Sequence, residues 1–323
     1  MNKVVKAVAP CIHKSSLNFK LSPYHAWIDL GGGTTSAHYP PRLLHGLSFR
    51  WELPQLPKHR GEARLRFVEP VSIHFDTFPD YSRYEIVPMV WDCWPKYFEM
   101  MVEWLKKHHV RTAIFTSQQT AERMRNALPG VNILWCPEAI DPAPYYAGKG
   151  LADRSIDVLE FGRSNQRVIN AERLQQIHLA DGHTLRHVAT RQGGRFIFSN
   201  EQLYDAMADA RIAIALPRSM TQPEVSGDIE TLTQRYWECM LSRMVMVGHA
   251  PQELVDLIGY NPVIELREDI PAEDLITDVL SHISDYQKLV DRNRETVLQL
   301  GTWKVRMKMV MEWLERVGYN VCG

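Results

Sequence analysis

Two glutamates that stand eight positions apart, Glu230 and Glu238, are the most informative pair in the chain. They lie between strand-like runs at residues 212–216 and 244–248, in a segment whose pattern predicts a helix over residues 230–241. On a helix, this spacing gives a rise of about 12 Å at roughly 1.5 Å per residue. That rise matches the distance between the sugar and the ribose of a nucleotide-sugar, so one carboxylate could bind each end.

The residues between the two glutamates could hold a diphosphate. N–H groups at the start of a helix have no partner within the helix and attract anions, and here they would fall near Thr231, Leu232 and Thr233. The two threonine hydroxyls add hydrogen-bond donors. Two glutamates at this spacing also occur on solvated helix faces, so the pattern by itself leaves a structural role open.

Three arginines stand where they could neutralise phosphates. Arg163 follows Gly162 at the end of a predicted strand over residues 156–161, Arg218 follows the strand at residues 212–216, and Arg235 lies within the predicted helix. A guanidinium at a strand end can stabilise a leaving diphosphate without a metal ion. The structural alternative for Arg163 is a surface ion pair, and a structural role is open for Arg235 as well.

The N-terminal half offers candidates for contact with an acceptor. Asp92 ends a predicted strand over residues 86–91, where its carboxylate could orient or deprotonate an acceptor hydroxyl. A helix-capping role is the alternative for Asp92. His74 and Asp76, at the end of a predicted strand over residues 71–75, are comparable candidates, with a satisfied polar pair as the alternative.

A glycine run at residues 31–33 could cradle a phosphate through Gly32, Gly33 and Thr34, and a surface turn is the alternative. No metal site is predicted. The adjacent histidines at positions 108 and 109 have neither a nearby cysteine nor a helical i,i+4 partner.

Strand-like and helix-like segments that must position these residues alternate after about residue 64. Such βαβ runs form parallel sheets covered by helices. A proline-rich stretch over residues 137–144 interrupts the alternation, and a second run of the same kind follows it. The sequence therefore predicts an α/β protein with an N-terminal domain over residues 1–143 and a C-terminal domain over residues 144–323, whose terminal helix could pack back on the first domain. Residues 1–63 fit this scheme poorly.

The segment around the two glutamates resembles the E-x7-E element of retaining GT-B glycosyltransferases, the family 4-like type. Similarity to that family's stretch from the donor helix to the following strand continues through residues 235–240, 244–248 and 251–254. Residues 157–163 are similar to the opening strand of the family's donor domain, where a basic residue after a glycine contacts the diphosphate. Weaker likeness extends back to about Ile86.

The resemblance implies two Rossmann-like domains that face each other across a cleft. It also implies a retaining, metal-independent transfer from a nucleotide-sugar, UDP- or GDP-linked, with no further cofactor. Glu230 would lie near the donor sugar, Glu238 near the ribose, and Gly162 with Arg163 at the diphosphate. The Gly-Phe-Gly that often follows the first glutamate in the family is replaced here by residues 231–233, which leaves the sugar and the phosphate contacts open.

Composition excludes several other classes of protein. The 37 Lys and Arg nearly balance the 38 Asp and Glu, so nothing global favours nucleic acid. The five cysteines are scattered and odd in number, which argues against a disulfide framework. No signal peptide or membrane span is evident, so a cytoplasmic protein is expected, with contact to a membrane surface and homo-oligomers left open.

The acceptor is not predicted beyond a glycan, a lipid-linked molecule or a small molecule, and a polysaccharide pathway is suggested by the family's habits alone. Two other functions stay open because a fold does not fix a reaction. One is a sugar-nucleotide epimerase or hydrolase that uses the same cleft. The other is a nucleotide-sugar-binding protein without catalysis.

Overall fold

The computed structural model describes residues 2–10, 19–37, 53–162, 170–179, 182–192 and 195–321. Contacts divide the chain into two units. The first comprises Met1–Glu138, Val225–Thr231 and Trp303–Gly323, and the second comprises Ala139–Glu224 and Leu232–Thr302. Arg163 lies outside the described residues, so its role stays a prediction.

The strands of the two units are numbered here in chain order. The strands of the first unit before its break are β1 (Lys3–Val8), β2 (Thr34–Thr35), β3 (Glu62–Val68), β4 (Glu85–Val90), β5 (Thr112–Phe115) and β6 (Asn132–Trp135). Those of the second unit are β7 (Ile156–Glu160), β8 (His187–Ala189), β9 (Arg191–Gln192), β10 (Arg195–Phe196), β11 (Ala210–Ala215), β12 (Val245–Gly248) and β13 (Val263–Glu265). The last strand, β14 (Tyr319–Asn320), belongs to the first unit again.

Helices fill most of the connections between these strands. Up to residue 138 they are α1 (Leu21–Asp29), α2 (Ile73–Thr77), α3 (Asp80–Arg83), α4 (Pro95–Lys107) and α5 (Gln118–Ala127). Beyond it they are α6 (Ala171–Leu174), α7 (Asn200–Asp209), α8 (Arg218–Thr221), α9 (Pro223–Ser226), α10 (Gln234–Leu241), α11 (Gln252–Ile258), α12 (Ala272–Ser281), α13 (Gln287–Leu300) and α14 (Trp303–Arg316).

Both main sheets are parallel. In the first unit the strand order is β14-β1-β3-β4-β5-β6, with β2 beside β1. In the second unit the order is β13-β12-β11-β7-β8, and β9 pairs with β10 in a separate antiparallel hairpin. The predicted α/β class with two Rossmann-like sheets is confirmed.

The strands are apolar on both faces because the helices that connect parallel strands cover both sides of the sheet. All six positions of β4 are buried, a pattern typical of a central strand in a parallel sheet. Helix α4 packs Met101, Trp104 and Leu105 into the core of the first unit. In the second unit, β11 and β12 lie between two apolar clusters, one of which includes residues of α10.

Three sequence predictions of local structure are wrong. Residues 71–75, rich in β-branched and aromatic side chains, were expected to form a strand, but a turn at Pro70–Ser72 leads into helix α2. The sequence pattern also predicts a helix over about residues 170–179, but α6 covers only Ala171–Leu174. The helix predicted from residue 230 begins only at Gln234, because Thr233 is extended (φ −113°, ψ 163°) and the N–H of Leu232 donates to the Glu253 carboxylate instead.

The early residues, whose topology the sequence did not predict, contribute to the first sheet. Strand β1 lies between β14 and β3, and α1 packs against α14. No helix within the described ranges is long and apolar enough to cross a membrane.

Candidate functional site

The strand end at Phe161 and Gly162 is the centre of a polar cluster in the second unit. Gly162 follows β7 with a φ of +79°, a left-handed conformation that favours glycine. A Cβ at this position would overlap Nη2 of Arg235. The Arg235 guanidinium also lies 5.6 Å from the centroid of the Phe161 ring. The positive charge is thus held against the carboxyl end of β7, where open α/β sheets bind ligands.

Helix α10 carries Arg235 and presents it from a fixed position. Its residues Tyr236, Trp237 and Met240 are buried in the core of the second unit, and the Tyr236 hydroxyl donates to the His249 carbonyl oxygen at 2.7 Å. Arg235 and Glu238 are three positions apart and therefore share a face of the helix. The apolar face fixes where these two polar side chains can lie.

Glu238 is half-buried and accepts a hydrogen bond from the Tyr145 hydroxyl at 2.9 Å. Burial raises the pKa of Glu238 above its ordinary value, although the bond from Tyr145 and the charge of Arg235 act in the opposite direction. Burial and the neighbouring carboxylate raise the pKa of Tyr145 as well. The Tyr204 ring packs edge-on against Tyr145, with centroids 5.0 Å apart.

Sequence reasoning missed the two tyrosines. Tyr145 directly follows the proline-rich stretch over residues 137–144, and its only signal was an aromatic residue among prolines and glycines. Tyr204 lies on α7, where its spacing resembles that of an ordinary core residue. With Glu238 they form a cluster of groups that can accept and donate hydrogen bonds.

Glu230 lies outside α10, so the rise expected between two glutamates on one helix does not apply. Its N–H donates to the side-chain oxygen of Gln119 at 2.7 Å, within the first unit. The same segment is held by Asp228, which pairs with Arg123 at 2.6 Å. These contacts hold the loop that carries Glu230 and Thr231 against helix α5. The roles predicted for the two residues at the donor stay predictions.

The other residues predicted at the donor occupy different surroundings. Leu232 is fully buried in the core of the second unit, so its side chain serves packing. Thr233 occupies the position before the first residue of α10. Arg218 begins α8 just after the β11 strand end, and its Nε donates to the Gln222 side chain at 3.1 Å. Thr233 and Arg218 therefore both lie at the start of a helix.

Asp92 follows β4 in the first unit with a φ of +51°. This left-handed conformation is uncommon for a residue with a side chain, although aspartate adopts it more readily than most. Glu69, directly after the neighbouring strand β3, was missed by sequence reasoning. Burial raises the pKa of Glu69, and the charge of Asp92 adds to this while Lys20 opposes it. Each acid follows a strand-like segment of the sequence, but only the pairing of β3 with β4 places the two at adjacent strand ends.

His74 and Asp76 do not end a strand, contrary to the sequence prediction, because both lie on helix α2. The His74 ring packs against Trp104 and His108, with centroids 6.4 and 6.3 Å away. Asp76 accepts a hydrogen bond from Ser72 at 2.6 Å and pairs with Lys20 at 3.5 Å. These contacts fit the structural alternative for both residues.

The glycine run gains no support as a phosphate loop. The N–H groups of Gly31, Gly32 and Gly33 donate to the carbonyl oxygens of Ile28, Trp27 and Val321. A Cβ at Gly32 would overlap the Trp27 indole, which explains the glycine by packing. Thr34 begins the short strand β2 beside β1. Among the described residues, no cluster of His, Cys, Asp and Glu could hold a metal ion.

Comparison with known proteins relates the chain to others by fold. No protein-family model matches it, and no curated protein sequence matches it. Solved structures do match. Anabaena Alr3699/HepE in complex with UDP and glucose has a TM-score of 0.59 at 10% identity, covering 98% of this chain and 100% of that one.

Two further structures match along nearly the whole chain. AviGT4, a glycosyltransferase involved in avilamycin A biosynthesis, has a TM-score of 0.53 at 14% identity, covering 98% of each chain. The N-terminal domain of trehalose-6-phosphate phosphatase from Candida albicans has a TM-score of 0.53 at 8% identity, covering 98% of this chain and 97% of that one. The chain has the two-domain GT-B fold of glycosyltransferases.

Proposed function

We propose that the protein is a retaining, metal-independent glycosyltransferase that moves a sugar from a UDP- or GDP-linked donor to a glycan, lipid-linked or small-molecule acceptor. The observation that carries this proposal is the cluster of Arg235, Glu238 and Tyr145 at the carboxyl end of the second unit's sheet. A cation beside a half-buried carboxylate suits a nucleoside diphosphate, which has anionic phosphates and a ribose with two hydroxyl groups. Retention is carried by the sequence resemblance.

The ribose end of the donor would contact Glu238. A carboxylate has two oxygens and accepts hydrogen bonds from several donors, so it can hold the Tyr145 hydroxyl and a ribose hydroxyl together. Because the surroundings of Glu238 are poorly solvated, such a bond would be stronger than one in water. Tyr145 restricts the carboxylate before the ligand arrives, which lowers the entropy lost on binding.

The diphosphate end would contact Arg235 and the Gly162 turn. A guanidinium binds phosphate oxygens through two parallel hydrogen bonds and keeps its charge at any physiological pH. In a transfer reaction it would stabilise the negative charge that develops on the leaving diphosphate. Arg163, the next residue after Gly162, is proposed from the sequence to add a second cation.

The chemistry at the sugar is assigned to Glu230 and to acids of the first unit. Glu230 would position the donor sugar, as the sequence resemblance implies. Asp92 would orient or deprotonate the acceptor hydroxyl, with Glu69 beside it. A carboxylate whose pKa is raised, as burial does for Glu69, is a better proton acceptor near neutral pH than an ordinary one.

Calorimetry tests the donor site. We expect either UDP or GDP to bind the wild-type protein, and Glu238→Gln and Arg235→Gln each to weaken that binding by about tenfold or more, the size of one charged hydrogen bond. Glu268→Gln and Arg267→Gln are matched controls, because both residues are exposed on the second unit. Binding that the four substitutions affect equally, or no binding of either nucleotide, would remove the basis of the proposal.

Donor binding without transfer is a second candidate. It is favoured by the division of the groups between the units, since Arg235 and Glu238 lie in the second unit while Glu230, Asp92 and Glu69 lie in the first. A nucleotide-sugar could thus bind to the second unit alone. Product analysis separates the candidates: a transferase yields a new glycoside, an epimerase or hydrolase yields a changed or free sugar, and a binding protein returns the donor intact.

A further inference from the structure

A cavity of about 390 Å³ opens on the first unit, and none of its lining residues is among those assigned to the donor. Its wall includes Thr35 and Ser36, which follow the glycine run, together with Arg64 of β3 and Tyr84 before β4. The glycines themselves are explained by packing, but the two hydroxyl residues after them are not. All four of these residues line the same cavity.

Arg64 is the most unusual residue of this wall. Its side chain is only 6% exposed, and its Nη2 lies 2.8 Å from the Glu62 carboxylate. The guanidinium carbon lies 3.8 Å from the centroid of the Tyr84 ring. Its Nη1 is buried and has no hydrogen-bond partner in the described structure. A buried N–H of a charged group without an acceptor is costly, so Arg64 retains unused hydrogen-bonding capacity in the wall of the cavity.

The carboxylates beside Arg64 are already occupied by other cations. Glu62 also binds Lys6 at 2.6 Å, a bond that lowers the pKa of Glu62 and keeps it ionised. Asp80 binds Arg66 at 2.5 Å and lies 3.8 Å from the Arg64 Nε. Three cations therefore face two carboxylates.

Arg83 on the rim of the cavity adds a fourth cation. It is exposed, so it can reach a ligand at the mouth at little cost in desolvation. The hydroxyls of Thr35 and Ser36 add neutral donors. The excess of positive charge and of donors indicates an anionic ligand group.

Part of the same wall is apolar. Leu53, Leu56 and Pro79 line the cavity together with the Tyr84 ring. An inorganic ion would leave this surface exposed to water, whereas a ligand that carries a ring or a short apolar body would cover it. A volume of about 390 Å³ is within the range of small-molecule sites.

We propose that this cavity binds the anionic group, phosphate or carboxylate, of a small ring-containing molecule. Arg64 and Arg83 would contact the anion, Thr35 and Ser36 would donate further hydrogen bonds, and the apolar wall would hold the ring. The site lies wholly within the first unit and does not depend on the donor site of the second unit.

Titration of the full chain with three probes tests this proposal. The probes are phenyl phosphate, benzoate and inorganic phosphate, and binding is followed by calorimetry. We expect saturable binding of phenyl phosphate or benzoate that is tighter than that of inorganic phosphate. The tighter of the two aromatic probes identifies the anion as phosphate or carboxylate.

Three substitutions locate the binding. Arg64→Met and Arg83→Gln should each weaken the preferred probe by roughly tenfold or more, and Ser36→Ala by less, because a charged hydrogen bond contributes more than a neutral one. Arg316→Gln, an exposed arginine of the same unit, should leave binding unchanged. If Arg64→Met fails to fold, Arg83→Gln and Ser36→Ala still decide the question. Absence of saturable binding, or binding that Arg83→Gln and Arg316→Gln weaken alike, would overturn the proposal.

Discussion

Alanine at Gly162 tests whether the close approach of the β7 strand end to Arg235 organises the site. Gly162 has a φ of +79°, and a side chain there costs about 1–2 kcal/mol in backbone strain. Gly259, which ends α11, has the same φ of +79°, and nothing lies within 4 Å of the Cβ that alanine would add. Gly259→Ala therefore carries the backbone strain alone.

Gly162→Ala adds a second effect, because its Cβ would overlap the Arg235 guanidinium and displace it. A displaced guanidinium loses its hydrogen bonds to the diphosphate. One charged hydrogen bond contributes about 1.5–3 kcal/mol, which corresponds to roughly a 10- to 100-fold loss of affinity. We expect the two alanine variants to lose similar stability and only Gly162→Ala to lose nucleotide affinity.

The assay combines chemical denaturation with calorimetry of whichever nucleotide binds best, UDP or GDP. In an Arg235→Ala background, Gly162→Ala should cost no further affinity, because the group that it displaces is already gone. Wild-type affinity in Gly162→Ala would contradict a role of the Arg235 position in nucleotide binding. So would an equal further loss in the presence and absence of Arg235.

Three further predictions concern stability. The folded-state pKa of Glu238 is raised above 4.5, so ionisation of its carboxyl group destabilises the fold. Relative to the wild type, Glu238→Gln should therefore gain free energy of unfolding as pH rises above about 4.5. A pH series of urea denaturation checks this difference. Tyr145→Phe should cost about 1–3 kcal/mol at neutral pH, since it leaves the Glu238 carboxylate without its donor; an unchanged denaturation midpoint would contradict this. Arg306 is 4% exposed, and its Nε and Nη2 have no partner in the described chain. Arg306→Met should therefore raise the free energy of unfolding by about 1–3 kcal/mol, and a loss of stability would count against an unpaired buried charge.

The sequence predicted the fold class because the strands are apolar on both faces and alternate with helices. It also predicted Arg235, Glu238 and Gly162 as site candidates, and the structure brings these three together. Prediction from the local sequence pattern failed where tertiary contacts determine the backbone conformation. The predicted helix starts at residue 230, but α10 begins only at Gln234, because Leu232 enters the core, its N–H donates to Glu253, and Thr233 is extended.

Long-range pairs could not be predicted from one sequence. Tyr145 and Glu238 are 93 positions apart, and no local pattern relates them. Glu69 and Asp92 depend on the adjacency of β3 and β4, which is known only once the sheet order is known. The glycine run could not be assigned from the sequence, because packing against Trp27 produces the same requirement for glycine as a phosphate would.

A crystal structure of the full chain with the better-binding nucleotide, UDP or GDP, would locate the donor. We expect the diphosphate within hydrogen-bond distance of the Arg235 guanidinium and of the Gly162 turn, and a ribose hydroxyl on the Glu238 carboxylate beside Tyr145. A nucleotide that lies elsewhere in the second unit, or on the first unit, would rule out this donor site.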